Sequence, residues 1–277
     1  MDGIKLLLVA GILGLSALAH AGEGGTVSSL AMNPGGYYFG LGGSYNQARV
    51  KSSTWSVLDA ASGMPPTGVF SGAGNDNYGS ASVVSPQIQA GYFQNFSGSN
   101  WLWGIELLYQ YSKAGAKSRD STVNLINLPV NTTDAIGMDI QTKVNSAFVL
   151  PAFIGHSFVN SFIYLGAGPS LVRIHDTVYA SSDGFSGYYI GTLNRFSDTH
   201  WRWGGAAQVG MAYSLNPSWF LKLDYTYTAI GRYERNNFIA FSPEINGGLN
   251  AGTVRFNTRQ RLATQDVALT INKLFAV

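Results

Sequence analysis

The sequence predicts an all-β chain that closes into an antiparallel transmembrane barrel of eight strands. Three observations predict it. Charged residues make up only 12% of the 277 residues, where a soluble domain carries about a quarter, yet past the first twenty residues no apolar run approaches the roughly 20 that a spanning helix needs. Segments of about ten residues alternate apolar and polar with period two, as a wall between lipid and a lumen requires. The connections between those segments alternate short and long, the rhythm of periplasmic turns and extracellular loops.

Taken from the N-terminus, residues 1–21 read as a secretory signal peptide. Lys5 precedes an apolar stretch over 6–18, and Ala19-His20-Ala21 supplies a small-residue cleavage site. Residues 22–34, polar and Gly-rich, read as a flexible periplasmic lead-in, and 35–277 as the outer-membrane barrel.

The first strand sets Tyr37, Phe39, Leu41 and Tyr45 against Tyr38, Gly40, Gly42, Ser44 and Asn46. The second, over 84–95, sets Ile88, Ala90 and Tyr92 against Gln87, Gln89 and Gly91. In the third, Trp101, Trp103, Ile105, Leu107, Tyr109 and Tyr111 share one face, and Gly104, Glu106, Gln110 and Ser112 lie on the other. A helix would scatter both sets. The fourth and fifth, 144–156 and 162–174, are apolar on both faces and contain Pro151 and Pro169, which argue against central positions. Gly166, Gly168 and Ser170 are expected to face a crowded lumen. The sixth alternates Trp201, Trp203, Val209, Met211 and Tyr213 with Arg202, Gly204, Gln208 and Gly210. The seventh alternates Trp219, Leu221, Leu223, Tyr225 and Tyr227 with Phe220, Lys222, Asp224 and Thr226. The eighth sets Val267, Leu269, Ile271 and Phe275 against Asp266, Ala268, Thr270 and Asn272, with Lys273 near enough to the chain end to snorkel.

Residues 96–100, 158–161 and 215–218 are tight turns of Ser, Gly, Asn and Pro. Between them, 47–82, 113–142, 175–199 and 231–262 read as long extracellular loops. An open edge in lipid would leave backbone groups unpaired, so closure is required. Trp101, Trp103 and Trp219 stand just after short turns, where an inner girdle belongs; Tyr109, Tyr111, Tyr225, Tyr227, Trp201 and Trp203 stand at the opposite strand ends, as an outer girdle.

These patterns resemble the OmpA-like and opacity-type small outer-membrane barrels over about 35–277. The resemblance rests on the Gly-rich strands Gly35-Gly36-Tyr37-Tyr38-Phe39-Gly40-Leu41-Gly42-Gly43 and Tyr164-Leu165-Gly166-Ala167-Gly168. It rests also on the turn and strand from Leu215-Asn216-Pro217-Ser218-Trp219 onward, and on the last strand. It implies the architecture and a bacterial outer-membrane location; the long loops, rich in Gly, Ser, Asn, Thr and aromatic residues, are expected to carry a surface-antigen, adhesion or envelope role. Such chains commonly end on an aromatic residue, whereas here Phe275 is followed by Ala276 and Val277.

The candidate site residues fall in two groups. Glu106, Lys222, Asp224, Arg202 and Asp266 are expected to point into the lumen as an ion-pair network. Extending the lipid-facing phase outward places Arg235, Arg255, Arg259 and Arg261 above the outer girdle, at the height of lipopolysaccharide phosphates, where guanidinium groups donate in bidentate fashion. Catalytic alternatives are weaker. Asp198-Thr199-His200 has the D-x-H spacing of omptin-type proteases but lacks a D-x-D partner. His156-Ser157 is adjacent where lipid A deacylases space the pair, and His175-Asp176 lacks an evident nucleophile. The four histidines sit among no clustered carboxylates, so no metal site and no cofactor are expected. With no cysteine, disulfide and thiolate chemistry are excluded, and a net charge of +2 gives no pointer to nucleic acid. The leading expectation is a non-enzymatic, monomeric surface barrel with lipopolysaccharide and an extracellular ligand as partners. An enzyme acting on lipid A and a narrow channel are the alternatives.

Overall fold

The computed structural model describes residues 35–62, 68–74, 77–127, 132–181, 192–242, 244 and 251–276. The expected signal peptide and lead-in lie outside the described residues. Ten strands run in chain order: β1 (Gly35–Ser62), β2 (Gly68–Ala73), β3 (Asn77–Asn95), β4 (Trp101–Asn127), β5 (Thr132–Val149), β6 (Ala152–Ser157), β7 (Ser161–Ser181), β8 (Thr192–Asn216), β9 (Trp219–Phe241) and β10 (Ala251–Ala276). They make eight crossings. β2 lies beside the outer end of β1 ahead of β3, and β5 and β6 are one crossing broken at Leu150 and Pro151. Every neighbouring pair is antiparallel, and β1 pairs with β10 from Gly36↔Ala276 to Ser62↔Ala251, so the sheet closes on itself. No edge is then left in lipid.

Pro151 is accommodated by the break it makes. Around it, the Glu106 amide donates to the Pro151 carbonyl and the Leu150 amide to the Pro169 carbonyl, each at 3.0 Å. The ladder therefore continues past a residue with no donor of its own. Pro169 lies within β7, opposite Gly205 of β8.

The four long connections, expected as loops, are strand over most of what is described of them, so the barrel wall continues well beyond the outer girdle. The reason is an inversion of polarity. Within the membrane the outward face is apolar and exposed, as at Leu41, Ile105, Leu165 and Leu269, while the inward face carries Gln89, Gln110 and Thr270. Farther out, Arg49, Lys51 and Arg259 face outward, and Leu58, Phe70, Val254 and Phe256 are fully buried inside. Water replaces lipid around the outer half, so the apolar positions move inward.

The interior is packed in layers. At the periplasmic end Tyr38, Phe93, Phe153, Phe162, Tyr164 and Phe220 form an aromatic floor. Its rings meet at 5.2 Å (Phe93–Phe162), 5.4 Å (Tyr38–Phe220) and 5.0 Å (Phe153–Tyr164). Each such ring, fully buried, contributes about 1.5–3 kcal/mol. Glycines make room: a Cβ on Gly91 would lie 2.6 Å from the Tyr38 ring, and one on Gly210 2.6 Å from that of Tyr164. Gly166, Gly168 and Ser170 line this same inner face. Higher up, Val50, Ala116, Val144, Ile174, Ile230 and Leu262 form an apolar layer.

Candidate functional site

The inward phase of β4 and β9 brings Glu106, Lys222 and Asp224 together directly above the aromatic floor. Lys222 donates to Glu106, which also accepts from the Tyr38 hydroxyl, and from Gln208 Nε2 at 3.2 Å. Lys222 Nζ lies 3.3 Å from Asp224 Oδ1 and 5.2 Å from the Tyr164 ring centroid. The side chains of all three charged residues are at most 2% exposed. At such burial Coulomb attraction is strong, but so is the cost of leaving water, and the arrangement holds only because partners are in place.

The five expected lumen residues do not form one network. Asp266 belongs to a separate polar layer, where it accepts from Asn46 and from Gln110 Nε2 at 2.7 Å. Asn46 Nδ2 also donates to Gln110 Oε1 at 3.0 Å. Arg202 lies farther out still, with its guanidinium 4.9 Å from the Tyr233 ring centroid. Glu106, Lys222 and Asp224 stand close to the short turns that begin β4 and β9, whereas Arg202 and Asp266 stand farther out along β8 and β10.

The set of arginines also needs correction. Arg235 does not face outward. Between Ile230, opposite Leu262, and Tyr233, opposite Gln260, β9 carries a bulge at Gly231 and Arg232, and one extra residue reverses the phase beyond it. Tyr233 and Arg235 turn inward, where Arg235 Nη1 lies 3.2 Å from Asp176 and Nη2 3.3 Å from Asp198. The side chain of Asp176 is fully buried. His200 completes this outer cluster, with Nε2 3.8 Å from Asp176 and Nδ1 3.5 Å from Asp198. Asp176 and Asp198 are direct cross-strand partners, an adjacency invisible in a sequence that holds them 22 positions apart.

Arg255, Arg259 and Arg261 do face outward on β10. Arg259 Nε donates to Glu234 Oε1 at 2.7 Å, and Arg255 lies 5.7 Å from the Phe238 ring centroid. They are part of a wider set. Arg49 and Lys51 on β1, Lys113 and Lys117 on β4, Lys143 on β5, Arg173 on β7 and Arg232 on β9 also face outward. These cations stand on the outer side of aromatic residues in the same or the paired strand: Arg49 beyond Tyr45, Lys113 beyond Tyr111, Lys143 beyond Phe148, Arg232 beyond Tyr227, and Arg173 opposite Trp201. Lys113 reaches its place from a register shift between Tyr111 and Ala114, at φ 57°, with Nζ 5.2 Å from the Tyr111 ring centroid. A lone arginine in an apparent loop gives no hint of such a belt; the outward phase of six crossings is needed to see it.

One further constellation is assembled by cross-strand pairing. On the outer face of β7 and β8, Ser197 Oγ lies 3.2 Å from His175 Nε2, and Thr199 Oγ1 lies 2.7 Å from Nδ1 of the same ring. His156, by contrast, packs edge-on against Trp101 at the periplasmic rim, with centroids 5.4 Å apart. Among the described residues no group of three or more His, Asp or Glu side chains is arranged to hold a metal ion.

The model of the outer membrane protein beta-barrel domain family matches residues 6–258. No curated protein matches the chain. Among solved structures, the outer membrane protein OprG of Pseudomonas aeruginosa is 15% identical, with a TM-score of 0.39, covering 90% of this chain and 99% of that one. Neisserial surface protein A is 14% identical (TM-score 0.30), covering 84% of this chain and 97% of that one. The outer membrane protease OmpT of Escherichia coli is 10% identical (TM-score 0.39), covering 90% and 99% respectively.

Proposed function

Because this chain belongs to the outer membrane protein beta-barrel domain family and resides in the bacterial outer membrane, we propose that it is a non-enzymatic surface barrel. Its working face is the extracellular part of the wall, in an adhesive or envelope-structural role. The filled interior carries this reading. The aromatic floor, the Glu106–Lys222–Asp224 layer, the Asp266 layer and the apolar layer above them are buried in succession. An eight-stranded barrel is just wide enough for side chains to fill, so a diffusive path has no room and contacts are made from outside. The test is surface expression of the intact protein and of a form with β1, β9 and β10 shortened to the outer girdle, scored for cell binding. Loss of binding in the shortened form is expected. Equal binding by both, or single-channel conductance of the intact protein in planar bilayers, would overturn the reading.

The cationic belt supplies the second partner, lipopolysaccharide. Arg49, Arg173, Arg232 and Arg261 stand outside the aromatic girdle on four crossings, toward the phosphate groups of the outer leaflet, and Arg259 and Arg255 follow Arg261 farther out along β10. Changing Arg49, Arg232 and Arg261 to Gln reduces the lipopolysaccharide retained after mild detergent extraction. Equal retention, in a normally assembled barrel, removes this partner.

A specific contact favours one alternative, an enzyme acting on lipid A. Ser197 and His175 lie within hydrogen-bond reach on the outward face, the arrangement nucleophilic catalysis needs. In that reading Ser197 Oγ attacks an ester carbonyl and His175 Nε2 takes its proton. The proton returns to the departing alkoxide, and water then hydrolyses the acyl-serine. Fluorophosphonate labelling that disappears in Ser197→Ala, with a lipid A mass lowered by one acyl chain, supports it. An unlabelled protein and unchanged lipid A end it.

A further inference from the structure

The ladder ends early at two neighbouring pairs: β3 and β4 are registered only from Asn95↔Leu102 to Gln87↔Gln110 yet stay close beyond it, with Gly79 against the Lys117 carbonyl, whereas β8 and β9 part. β8 and β9 pair from Asn216↔Trp219 to Gly204↔Ile230 and no farther. Both strands nevertheless continue extended, β8 to Thr192 and β9 to Phe241. Each keeps its other neighbour: β8 stays on β7 as far as Ser181↔Thr192, and β9 on β10 as far as Gly252↔Phe241. At the closing pair β1–β10, by comparison, the ladder runs out to Ser62↔Ala251. The split begins at the Gly231–Arg232 bulge, and bulges bend and twist the strand that carries them.

Alternate residues of an antiparallel strand direct both N–H and C=O to the same side. Among the described residues, the edges of β8 above Gly204 and of β9 above Ile230 therefore present such groups without a ladder partner across the seam. Between them lies a recess of about 500 Å³ lined by Ser197, Asp198, His200 and Arg202 from one edge and Arg235 and Asn237 from the other. Side chains bridge it where backbone does not, through Arg235 and Asp198 at 3.3 Å. The charges are unevenly matched. Arg235 is taken by Asp176 and Asp198, and Glu234 by Arg259. Arg202 has no carboxylate partner among the described residues, and its Nε is buried without a hydrogen bond. The buried Asn237 Nδ2 beside it likewise donates to nothing.

We propose that this seam is a docking site for an extended polypeptide bearing an acidic side chain, which adds as a strand between β8 and β9 and places its carboxylate on Arg202. The proposal rests on the surface-barrel reading and names the partner class of that barrel. Backbone pairing supplies affinity that is tolerant of sequence, and the recess supplies the preference for an acidic residue, the division of labour of strand addition. A strand added there moves β9 away from β8 and β7 together, so Arg235 gives up both the half-exposed Asp198 and the buried Asp176, and Tyr233 gives up Arg202; the backbone pairing gained on both edges and the carboxylate placed on Arg202 offset that cost. The edges stand in water, so their unpaired groups are tolerated until a partner strand arrives.

The test uses the full chain in phospholipid nanodiscs with fluorescein-labelled ten-residue peptides of alternating Thr and Val carrying Glu, Gln or Lys at the centre. A fourth peptide is the Glu form with alternate amides N-methylated. The Glu peptide binds saturably, about tenfold tighter than the Gln peptide, as one charge-assisted contact implies, and the N-methylated form does not bind. Arg202→Gln removes the Glu preference and leaves the Gln peptide unaffected. Hydrogen exchange of amides over 197–203 and 233–237 slows on binding, a readout independent of the variant. Absence of saturable binding, or equal binding by the N-methylated peptide, overturns the proposal. Cell binding measured on the same preparation separates the two readings: if it persists without peptide binding, the surface barrel stands and the seam is not its site.

Discussion

Replacing Lys222 with Met tests the interior most directly. The Lys222 side chain is 2% exposed, donates to Glu106, lies 3.3 Å from Asp224 and rests 5.2 Å from the Tyr164 ring centroid. Met keeps most of the volume and the contact with Tyr164, so the loss is electrostatic. Two carboxylates would then share a buried layer without a cation, and breaking a buried pair in this way typically costs about 3–5 kcal/mol. With a denaturant dependence of about 2 kcal/mol per M in urea, the unfolding midpoint in lipid vesicles falls by about 2 M. The double variant Lys222→Met, Glu106→Gln removes one of the two stranded charges and recovers at least half of that loss, because the penalty belongs to the unpaired carboxylate and not to the missing amine. A midpoint unchanged in the single variant, or a double variant whose losses simply add, would refute the reasoning and show the layer to be open to water.

Gly210→Ala puts a methyl group 2.6 Å from the Tyr164 ring and 2.7 Å from Asp224 Oδ1; overpacking of this kind costs about 1–3 kcal/mol, read as a lower urea midpoint. Changing Phe93, Phe162 and Phe220 together to Ala removes the heart of the floor and gives measurable conductance in planar bilayers where the parent is silent; a silent triple variant that assembles normally would move the seal to the polar layers. Cysteine at the exposed Asp59 reacts with an impermeant thiol reagent on intact cells, whereas cysteine at Ser99 in the short turn after β3 does not; the reverse pattern inverts the barrel.

The closed eight-crossing barrel was legible in the sequence wherever lipid forces a choice. The alternation of Trp101 to Tyr111 with Glu106 and Gln110, and of Leu221 to Tyr227 with Lys222 and Asp224, carries that choice residue by residue; the turn at 96–100 keeps its bounds in the structure, and those expected at 158–161 and 215–218 narrow to 158–160 and 217–218. The stretches beyond the outer girdle were not legible as strands. Water on the outside and packed side chains on the inside reverse the sign of the alternation, as Arg49 and Lys51 against Val50, or Arg255 against Val254 and Phe256, make plain. A test for apolar-out positions therefore reads them as loops.

What the sequence by itself determined is each strand's two faces within the membrane, because lipid contact is a property of single side chains repeated with period two. What only the tertiary structure decided is which side chains meet across the barrel and where the phase slips. Asp266 meets Asn46 and Gln110 in a layer apart from the Lys222–Glu106 pair, and the Gly231–Arg232 bulge turns Arg235 from the outer surface to Asp176. The physical reason is that register, tilt and bulges are set by pairing with distant strands, and a period of two carries no record of its partner.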